Sequence, residues 1–346
     1  MKQFGINGFG RIGRTFVRAW IKQNNPELAL KVINTSGSME IEGWAHLLKY
    51  DTNYGRFSQE ITVEKTQSVS EATPENPVLG TITISGHQIT VTAQRDPKLI
   101  PWKQYGVTIV VDATGVFITQ EKAAQHFVGG AEKVLLTAPA KGDGVSTSVI
   151  GVNEYEAGAT VVSNASCTTN CVAPVAQIMT SVFGVEKAML TTIHAYTDDQ
   201  NTQDNSHKDL RRARSAAENI IPTSTGAATA TTEIIPELKG IFDGIAIRVP
   251  VKTGSLSDMV FVTKREVTVA EVNQALIDAS TQERWKNILA VTNDPIVSSD
   301  IVARPESSIV DLSLTQVVGG NLVKVVSWYD NEWGYCNRLV EQLSRI

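Results

Sequence analysis

Residues 2 to 13 read Lys2-Gln3-Phe4-Gly5-Ile6-Asn7-Gly8-Phe9-Gly10-Arg11-Ile12-Gly13. The first five have the character of a short strand, and three glycines follow at the spacing G-x-G-x-x-G. Apolar residues then recur at helical spacing as far as Ile21. A strand, a glycine-rich turn and a helix in this order form a βα unit, and this unit predicts a dinucleotide-binding fold.

Each glycine of the motif has a mechanical role. Gly8 permits the tight turn, Gly10 lets the backbone approach a pyrophosphate, and Gly13 allows the helix to pack closely. The N-terminus of the following helix favours the phosphate charge. A glycine-rich surface turn without a ligand is the alternative interpretation of the same motif.

The pattern of strand-like and helix-like runs predicts two domains. Up to about residue 166 the two kinds of run alternate, which favours a Rossmann-type, doubly wound parallel sheet of the α/β class. Later runs are longer and richer in β-formers, which predicts an α+β domain with a mixed or antiparallel sheet. We therefore predict a dinucleotide-binding domain at 1–166, joined by the C-terminal helix 331–346, and a catalytic domain at 167–330.

Bulk composition excludes several classes of protein. A chain of 346 residues with 42% hydrophobic content is ordinary for a folded protein with two cores. Its net charge of −5 gives no general attraction to nucleic acid or to membranes, and we predict neither as a partner. Three sparse cysteines fit a reducing compartment, and no signal peptide or long apolar run is evident, so we predict a cytoplasmic protein.

The residue that meets the adenosine ribose is expected at the end of the second strand, where Asn34 stands. A carboxylate there would repel the 2′-phosphate of NADP, whereas Asn34 and the hydroxyls of Thr35 and Ser36 are neutral hydrogen-bonding groups. This favours NADP, or use of both cofactors. The alternative is that Asn34 simply binds the ribose of NAD.

A candidate nucleophile lies in Ser163-Asn164-Ala165-Ser166-Cys167-Thr168-Thr169-Asn170-Cys171. This segment follows a strand and precedes a helix-like stretch, which places Cys167 near a helix N-terminus, where backbone N–H groups stabilise a thiolate. Ser166 is placed to cap the helix. We predict that Cys171 is a buried, unreactive thiol. A Cys-x₃-Cys metal site is the alternative, but no paired ligand motif accompanies it and we predict no metal.

His194 is the candidate partner of that thiol. It lies near the end of an apolar strand, and one strand–helix–strand passage would bring it beside Cys167. A lone histidine is more often a packing residue, yet the surrounding hydroxyl-rich and charged residues favour a polar cleft.

At Ser163–Cys171 the sequence resembles the glyceraldehyde-3-phosphate dehydrogenases. The resemblance covers nearly the whole chain, and its separate runs occur in the order of that family. These runs include Leu47–Asp51, Arg95–Pro97, His194–Thr197, Asp209–Arg214, Pro222–Ala228, Arg248–Pro250 and Trp328–Tyr335.

The resemblance implies a phosphorylating oxidation of D-glyceraldehyde 3-phosphate, with Cys167 as nucleophile and His194 as its base. The thiolate adds to the aldehyde, a hydride leaves for NAD or NADP, and inorganic phosphate attacks the thioester. Two phosphates must be held. By resemblance, the substrate phosphate meets Thr197 and Arg248, and the attacking phosphate meets Ser166, Thr168, Thr225 and Gly226, with Arg212 nearby.

The resemblance also implies cofactor residues beyond the glycines. These are Arg11 and Ile12 at the pyrophosphate, Asn34 at the ribose, Arg95 near the adenine, Thr137 beside the cofactor and Asn331 at the nicotinamide amide. For Arg95 a surface ion pair is the alternative.

Two departures from the family bear on cofactor choice. NAD-specific members usually carry aspartate where Asn34 stands, and many carry proline where Ser206 stands. The photosynthetic NADP-using branch has serine at that second place, on a loop that reaches a neighbouring subunit's ribose, so Ser206 and Thr35 are predicted to meet a 2′-phosphate. The family is typically a homotetramer.

Two alternative functions stay open at this point. One is erythrose-4-phosphate dehydrogenase, whose relatives tend to lose the Ser224–Ala228 phosphate loop that this chain preserves. The other is a non-catalytic dinucleotide-binding protein on the same fold.

Overall fold

The computed structural model describes residues 1–346 as two compact units. The first contains Met1–Ser148, Tyr155–Ala165 and Cys336–Ile346, and the second contains Val149–Glu154 and Ser166–Tyr335. These boundaries differ in detail from the predicted domains, because the chain rejoins the first unit at Cys336 and not at residue 331. Asn331 stays with the second unit, where its side-chain oxygen accepts a hydrogen bond from the hydroxyl of Ser255 at 2.9 Å.

The first unit is built on a nine-stranded sheet with short helices. Its strands are β1 Lys2–Asn7, β2 Leu28–Thr35, β5 Ile61–Lys65, β6 Val78–Ile84, β7 His87–Ala93, β8 Ile109–Asp112, β9 Lys133–Leu136, β10 Ser146–Thr147 and β11 Val161–Ser163, with β3 Tyr50–Asp51 and β4 Gly55–Arg56 as a separate pair. Its helices are α1 Arg11–Gln23, α2 Ile41–Lys49, α3 Gln120–Ala123 and α4 Gln125–Val128.

The strand order in this sheet is β10-β11-β9-β8-β1-β2-β7-β6-β5. Every pairing from β10 to β7 is parallel, and β6 and β5 add an antiparallel edge. The central strand β8 is buried along its whole length, as its apolar run requires in a parallel sheet covered on both faces. The predicted doubly wound parallel sheet is confirmed.

The parallel order brings the ends of four neighbouring strands to one edge of the sheet. Asn34 on β2, Asn7 on β1 and Asp112 on β8 are register partners in turn, and Thr137 follows β9. In open α/β sheets this carboxyl edge is where ligands bind.

The second unit contains an eight-stranded mixed sheet. Its strands are β12 Val185–Ala195, β13 Ile221–Ser224, β14 Phe242–Val249, β15 Ser255–Thr263, β16 Leu289–Thr292, β17 Ser308–Asp311, β18 Gln316–Val318 and β19 Leu322–Tyr329. Its helices are α5 Cys167–Phe183, α6 Ala227–Ile234 and α7 Val269–Ser280, and α8 Trp333–Arg345 ends the chain. The strand order is β13-β14-β12-β15-β19-β17-β16, with β18 on β19.

Strand β12 and helix α5 position the chemistry of this unit. Strand β12 pairs in parallel with β14 and antiparallel with β15, and its burial alternates along most of its length. Helix α5 packs on the same sheet, against β15, β17 and β19. No helix combines the length and apolar character that crossing a lipid bilayer requires.

Candidate active site

Cys167 is the first residue of helix α5. Ala165 has a positive φ of 52°, an uncommon conformation for a residue with a side chain, and it turns the chain sharply before the helix. Ser166 then caps the helix, as predicted, because its Oγ accepts a hydrogen bond from the N–H of Thr169 at 3.0 Å. The thiol is half-buried at a helix end whose orphan N–H groups are only partly satisfied by this cap.

His194 stands against that thiol. Its Nε2 lies 3.5 Å from Sγ of Cys167, and its Nδ1 lies 2.6 Å from the carbonyl oxygen of Ala195. A carbonyl only accepts hydrogen bonds, so we assign the proton to Nδ1 and leave the lone pair of Nε2 facing the thiol. In this tautomer the imidazole is oriented to take the thiol's proton.

Burial controls the charge of both groups. Burial first, and then the positive charge of Arg248, lower the pKa of His194 to about 3. Burial also raises the pKa of Cys167, against the opposing effects of Arg248 and of hydrogen bonds from Thr168. For Cys167, burial therefore opposes the stabilisation of the thiolate that the helix N-terminus is expected to give. Both shifts favour the uncharged forms, a thiol and a neutral imidazole.

Tyr329 packs beside Cys167 and His194 through its contacts with Thr168, Thr192 and the imidazole. It was not identified as a site residue from the sequence. Its buried Oη lies 2.8 Å from Oγ1 of Thr168 and 2.8 Å from Oγ1 of Thr192, and its ring meets the imidazole of His194 edge-on at 6.0 Å. Tyr329 thus holds α5, β12 and the imidazole together. The hydroxyl of Thr168, predicted to hold phosphate, is engaged by this tyrosine.

Arg248 joins the base to the predicted anion residues. Its Nη1 lies 3.0 Å from Nδ1 of His194 and donates to Oγ1 of Thr197 at 3.0 Å. The structure therefore brings together Thr197 and Arg248, which the resemblance assigns to one phosphate. The Nε of Arg248 is buried and has no hydrogen-bond partner in the protein, as expected of a group waiting for an anion.

Arg212 lies on the far side of Thr197. Its Nε donates to Oγ1 of Thr223 at 2.9 Å, and its Nη1 pairs with the carboxylate of Asp199. Asp199, which sequence reasoning missed, also accepts a hydrogen bond from the hydroxyl of Thr197. Its only signal in the sequence is its position two residues after a predicted phosphate ligand.

The Thr225-Gly226 pair precedes helix α6. The Oγ1 of Thr225 accepts a hydrogen bond from the N–H of Ala227 at 3.2 Å, which fixes the turn. A side chain added at Gly226 would meet no atom within 4 Å, so the backbone here faces open space. This exposure suits backbone donation to an anion.

The glycine motif of the first unit has the geometry that a pyrophosphate requires. Gly8 has a φ of 98°, and a Cβ on Gly13 would lie 2.2 Å from the carbonyl oxygen of Gly8. A Cβ on Gly10 would meet nothing within 4 Å, and helix α1 begins without a side-chain cap and without an acidic residue in its first turn. The N–H groups at the start of α1 therefore face open space, which suits the phosphates of a dinucleotide.

The guanidinium of Arg11 is paired with a carboxylate and does not point to a phosphate role for this side chain. Its Nη1 lies 2.6 Å from Oδ2 of the buried Asp51, and its Nη2 donates to Oδ1 at 3.3 Å. Such a two-pronged pair fixes the side chain. The backbone N–H groups of Arg11 and Ile12, at the helix start, are the groups that suit a phosphate.

Asn34 stands at the end of β2, as predicted, but its side chain is engaged inside the protein. Asn34 is 1% exposed, and its side chain makes four hydrogen bonds inside the protein. Its Nδ2 donates to Oδ1 of Asn7 and to the carbonyl of Gln94, each at 2.8 Å. Its Oδ1 accepts from Oγ1 of Thr92 at 2.8 Å and from the N–H of Gln94 at 3.1 Å. An amide has no further capacity, so the side chain of Asn34 is a brace between strands and not a free ribose ligand. Thr35 is equally buried, and its hydroxyl donates a hydrogen bond to the carbonyl of Thr92 at 3.0 Å.

We expect Asn34→Asp to lower the free energy of unfolding by about 2–5 kcal/mol, because two donated hydrogen bonds become contacts between acceptors around a buried charge. Urea unfolding of the variant measures this loss. The matched control is Ser36→Asp, an exposed position two residues later, which we expect to unfold like wild type. Equal stability of Asn34→Asp and wild type would contradict the bracing role.

The remaining predicted residues lie at exposed or partly exposed positions, with one exception. Arg95 is exposed, and its Nε donates to the carbonyl of Ser36 at 3.1 Å. Thr137 follows β9 at the carboxyl edge of the sheet, and Ser206 is exposed in the second unit. Asn331 is the exception, because it is buried. Its Oδ1 accepts from the N–H of Gly254 at 3.2 Å and from the hydroxyl of Ser255 at 2.9 Å, so its amide nitrogen points away from these two donors.

The low pKa of His194 predicts an acid-labile fold. Between the ordinary histidine pKa of about 6.5 and about 3, the unfolded chain binds a proton at this residue and the native protein does not. Acidification through this window therefore favours unfolding, and by pH 5 we expect this one residue to cost about 2 kcal/mol of stability. Urea unfolding of wild type and His194→Gln at pH 7 and pH 5 measures the difference. An identical loss in both proteins would contradict the assignment.

Comparison with known proteins agrees with this geometry. Residues 2–120 match the family profile described as the NAD binding domain of glyceraldehyde 3-phosphate dehydrogenase, and residues 166–331 match the profile of its C-terminal domain. The Glyceraldehyde-3-phosphate dehydrogenase of Streptomyces coelicolor is 50% identical over 340 residues, covering 97% of this chain and 96% of that protein.

Two further relatives show similar identities over nearly the whole of this chain. The chloroplastic Glyceraldehyde-3-phosphate dehydrogenase B of Pisum sativum is 46% identical over 340 residues, which are 97% of this chain and 72% of that protein. The Glyceraldehyde-3-phosphate dehydrogenase of Mycobacterium leprae is 46% identical over 346 residues, which are 99% of this chain and 97% of that protein. With both domain profiles matched and nearly its whole length aligned, the chain belongs to the family of phosphorylating glyceraldehyde-3-phosphate dehydrogenases, NAD(P)-dependent oxidoreductases.

Proposed function

We propose that this chain oxidises D-glyceraldehyde 3-phosphate to 1,3-bisphosphoglycerate, reversibly, with Cys167 as the covalent nucleophile and His194 as its base. One observation supports this most directly. The thiol lies at the start of a 17-residue helix, 3.5 Å from an imidazole nitrogen that is free to accept its proton. Nucleophile and base within reach, with the base oriented by a third group, is the arrangement that covalent catalysis needs.

The chain's own residues account for the proton transfers. As Cys167 attacks the aldehyde carbon, Nε2 of His194 takes the thiol's proton and forms an imidazolium beside Tyr329. The imidazolium passes that proton to the substrate oxygen, which gives the hemithioacetal hydroxyl, and His194 then takes the proton back as the carbonyl re-forms. The dinucleotide, when bound, accepts the hydride that leaves the same carbon. Inorganic phosphate then attacks the thioester and releases Cys167 as a thiolate.

Two groups of donors suit the two phosphates. Arg248 and Thr197 form one group, and the unpartnered Nε of Arg248 adds a free donor to it. Arg212, Ser166, Thr225 and Gly226 form the other, in which the open backbone at Gly226 allows close approach of an anion. Arginine donors in a fixed geometry favour planar or tetrahedral oxyanions.

For the cofactor we propose NADP or use of both dinucleotides. The support lies at the end of β2, where Nε of Arg95 donates to the backbone carbonyl of Ser36. Both residues are exposed, and a hydroxyl and a cation can accommodate a 2′-phosphate. Ser206 of a neighbouring subunit is proposed to reach the same ribose. The measurement is kcat/KM with NAD and with NADP on the wild-type enzyme. A preference for NAD of more than about 100-fold contradicts the proposal, since about 3 kcal/mol of discrimination requires a residue that rejects the 2′-phosphate.

We further propose a cytoplasmic homotetramer. Apolar side chains lie exposed on the sheet of the second unit, where Met189 is 59% and Ile245 is 49% exposed, and Leu210 is 81% exposed in the segment that carries Ser206. Exposed apolar residues in groups mark interaction surfaces. Sedimentation equilibrium tests this, and a monomeric mass at micromolar concentration contradicts it.

The decisive assay is reduction of NAD or NADP by glyceraldehyde 3-phosphate with and without inorganic phosphate. We expect rapid reduction only when phosphate is present. Faster turnover with erythrose 4-phosphate would favour that alternative substrate, and binding of the dinucleotide without any turnover would favour a non-catalytic role.

A further inference from the structure

A carboxylate bridges two side chains that the resemblance assigns to different phosphates. Asp199 accepts a hydrogen bond from the hydroxyl of Thr197 with one oxygen and an ion-paired hydrogen bond from Nη1 of Arg212 with the other. Because Thr197 also accepts from Arg248 at 3.0 Å, the negative charge of Asp199 is coupled to both anion groups.

Carboxylate and phosphate oxygens compete for the same donors. Both carry delocalised negative charge, and both accept charge-assisted hydrogen bonds from guanidinium and hydroxyl groups. Burial alone would raise the pKa of Asp199, but the hydrogen bond from Thr197 and the charges of Arg248 and Arg212 outweigh it and lower the pKa overall. Asp199 is therefore ionised at neutral pH and occupies donors that a bound phosphate would use.

The surrounding contacts indicate which partner moves when an anion arrives. Arg212 is fixed, because its Nε donates to Thr223 at 2.9 Å and its Nη2 to the carbonyl of Ser224 at 3.2 Å. Asp199 lies in a turn after β12, and its side chain is 42% exposed. Rotating an exposed aspartate disturbs less than moving a guanidinium held by two other hydrogen bonds.

We propose that Asp199 is an internal anion that competes with phosphate for Thr197 and Arg212, and thereby sets the phosphate affinity of the site. This inference rests on the proposed function, since it concerns the phosphate that the reaction consumes. It makes Asp199 a specificity-determining residue that acts through its charge, and it requires no contact between Asp199 and the reacting carbon.

Asp199→Asn tests the proposal, because asparagine keeps the size of the side chain and removes the charge. We expect the KM for inorganic phosphate to fall about two- to fivefold, the effect of one partly exposed ion pair, with kcat at saturating phosphate little changed. Sulfate, a non-reacting analogue, should inhibit at concentrations lower by the same factor. A KM that rises, or one that does not change, overturns the proposal, since a rise would mean that Asp199 positions Arg212 for phosphate.

Two further variants sharpen the test. Asp199→Glu keeps the charge, and we expect its phosphate KM to stay within about twofold of wild type; a fall as large as that of asparagine overturns the proposal. Asp204→Asn is the matched control, because Asp204 lies in the same segment and pairs with the exposed Arg214 at 2.8 Å, away from the contacts of Asp199. We expect it to leave the phosphate KM unchanged.

A binding measurement separates this proposal from the proposed function. Isothermal titration with sulfate is performed on wild type and Asp199→Asn without substrate. Tighter sulfate binding by the variant supports the internal anion even if turnover is absent. Normal phosphate-dependent turnover with equal sulfate binding by both proteins overturns the internal anion and leaves the proposed function intact.

Discussion

Cys167→Ser is expected to lower kcat/KM with glyceraldehyde 3-phosphate by at least about 10⁴-fold while dinucleotide binding is retained. A serine hydroxyl is a far weaker acid than a thiol, so His194 cannot generate its oxyanion with comparable ease, and the acyl oxygen ester that would follow is less reactive toward phosphate. Initial rates measure the loss, and fluorescence titration measures cofactor binding.

The control for this substitution lies one turn further along the same helix. Cys171 is fully buried, its Sγ is 3.9 Å from Oγ of Ser308 and 3.9 Å from the carbonyl of Ser327, and burial raises its pKa to about 11. Cys171→Ser should therefore keep most of the activity, because its surroundings already satisfy a hydroxyl. Mass spectrometry after mixing wild type with aldehyde and oxidised cofactor, without phosphate, should find the acyl group on Cys167; its absence there would exclude the proposed mechanism.

His194→Asn is expected to lower kcat by about 10²–10⁴-fold at pH 7, the range that general bases contribute. The substitution removes the group that takes the proton of Cys167, and burial already holds that thiol's pKa above its usual value. Alkylation of Cys167 by iodoacetamide at pH 7 should slow in parallel with turnover, because both need the thiolate.

Raising the pH distinguishes loss of the base from loss of structure. In His194→Asn, hydroxide replaces the imidazole as proton acceptor, so alkylation and turnover should recover in part toward pH 9.5. His87→Asn, a substitution of an exposed histidine in the first unit, is the control and should show wild-type rates throughout. A variant of His194 that is inactive at every pH, yet alkylated at the wild-type rate, would argue against the role of the base.

Strong local signals in the sequence predicted the architecture well. The glycine motif gave the first βα unit, and continuous apolar runs such as Ile109–Asp112 indicated buried parallel strands. The chain returns to the first unit at Cys336, and such a point depends on tertiary contacts that no local pattern encodes.

The candidate site was predictable where a residue acts through its position in a local element, as Cys167 does at a helix start. It was not predictable where function depends on the partner of a side chain. Asn34 occupies the expected end of β2, but its side chain is buried and makes four hydrogen bonds with Asn7, Thr92 and Gln94. Likewise, Tyr329 and Asp199 reach the site only through tertiary contacts, and the pKa of Cys167 depends on burial that a sequence does not show.

The discontinuous make-up of the first unit has a consequence for biogenesis. Its last piece, Cys336–Ile346, carries buried side chains such as Leu339 and Leu343 and is bound to the N-terminal strand through Lys2, whose Nζ donates to the carbonyl of Ser344 at 2.7 Å. A ribosome delivers those residues only after the whole second unit has been synthesised. Until then the nascent nucleotide-binding unit lacks the buried side chains of this piece, and an incomplete core favours chaperone capture or premature association of chains.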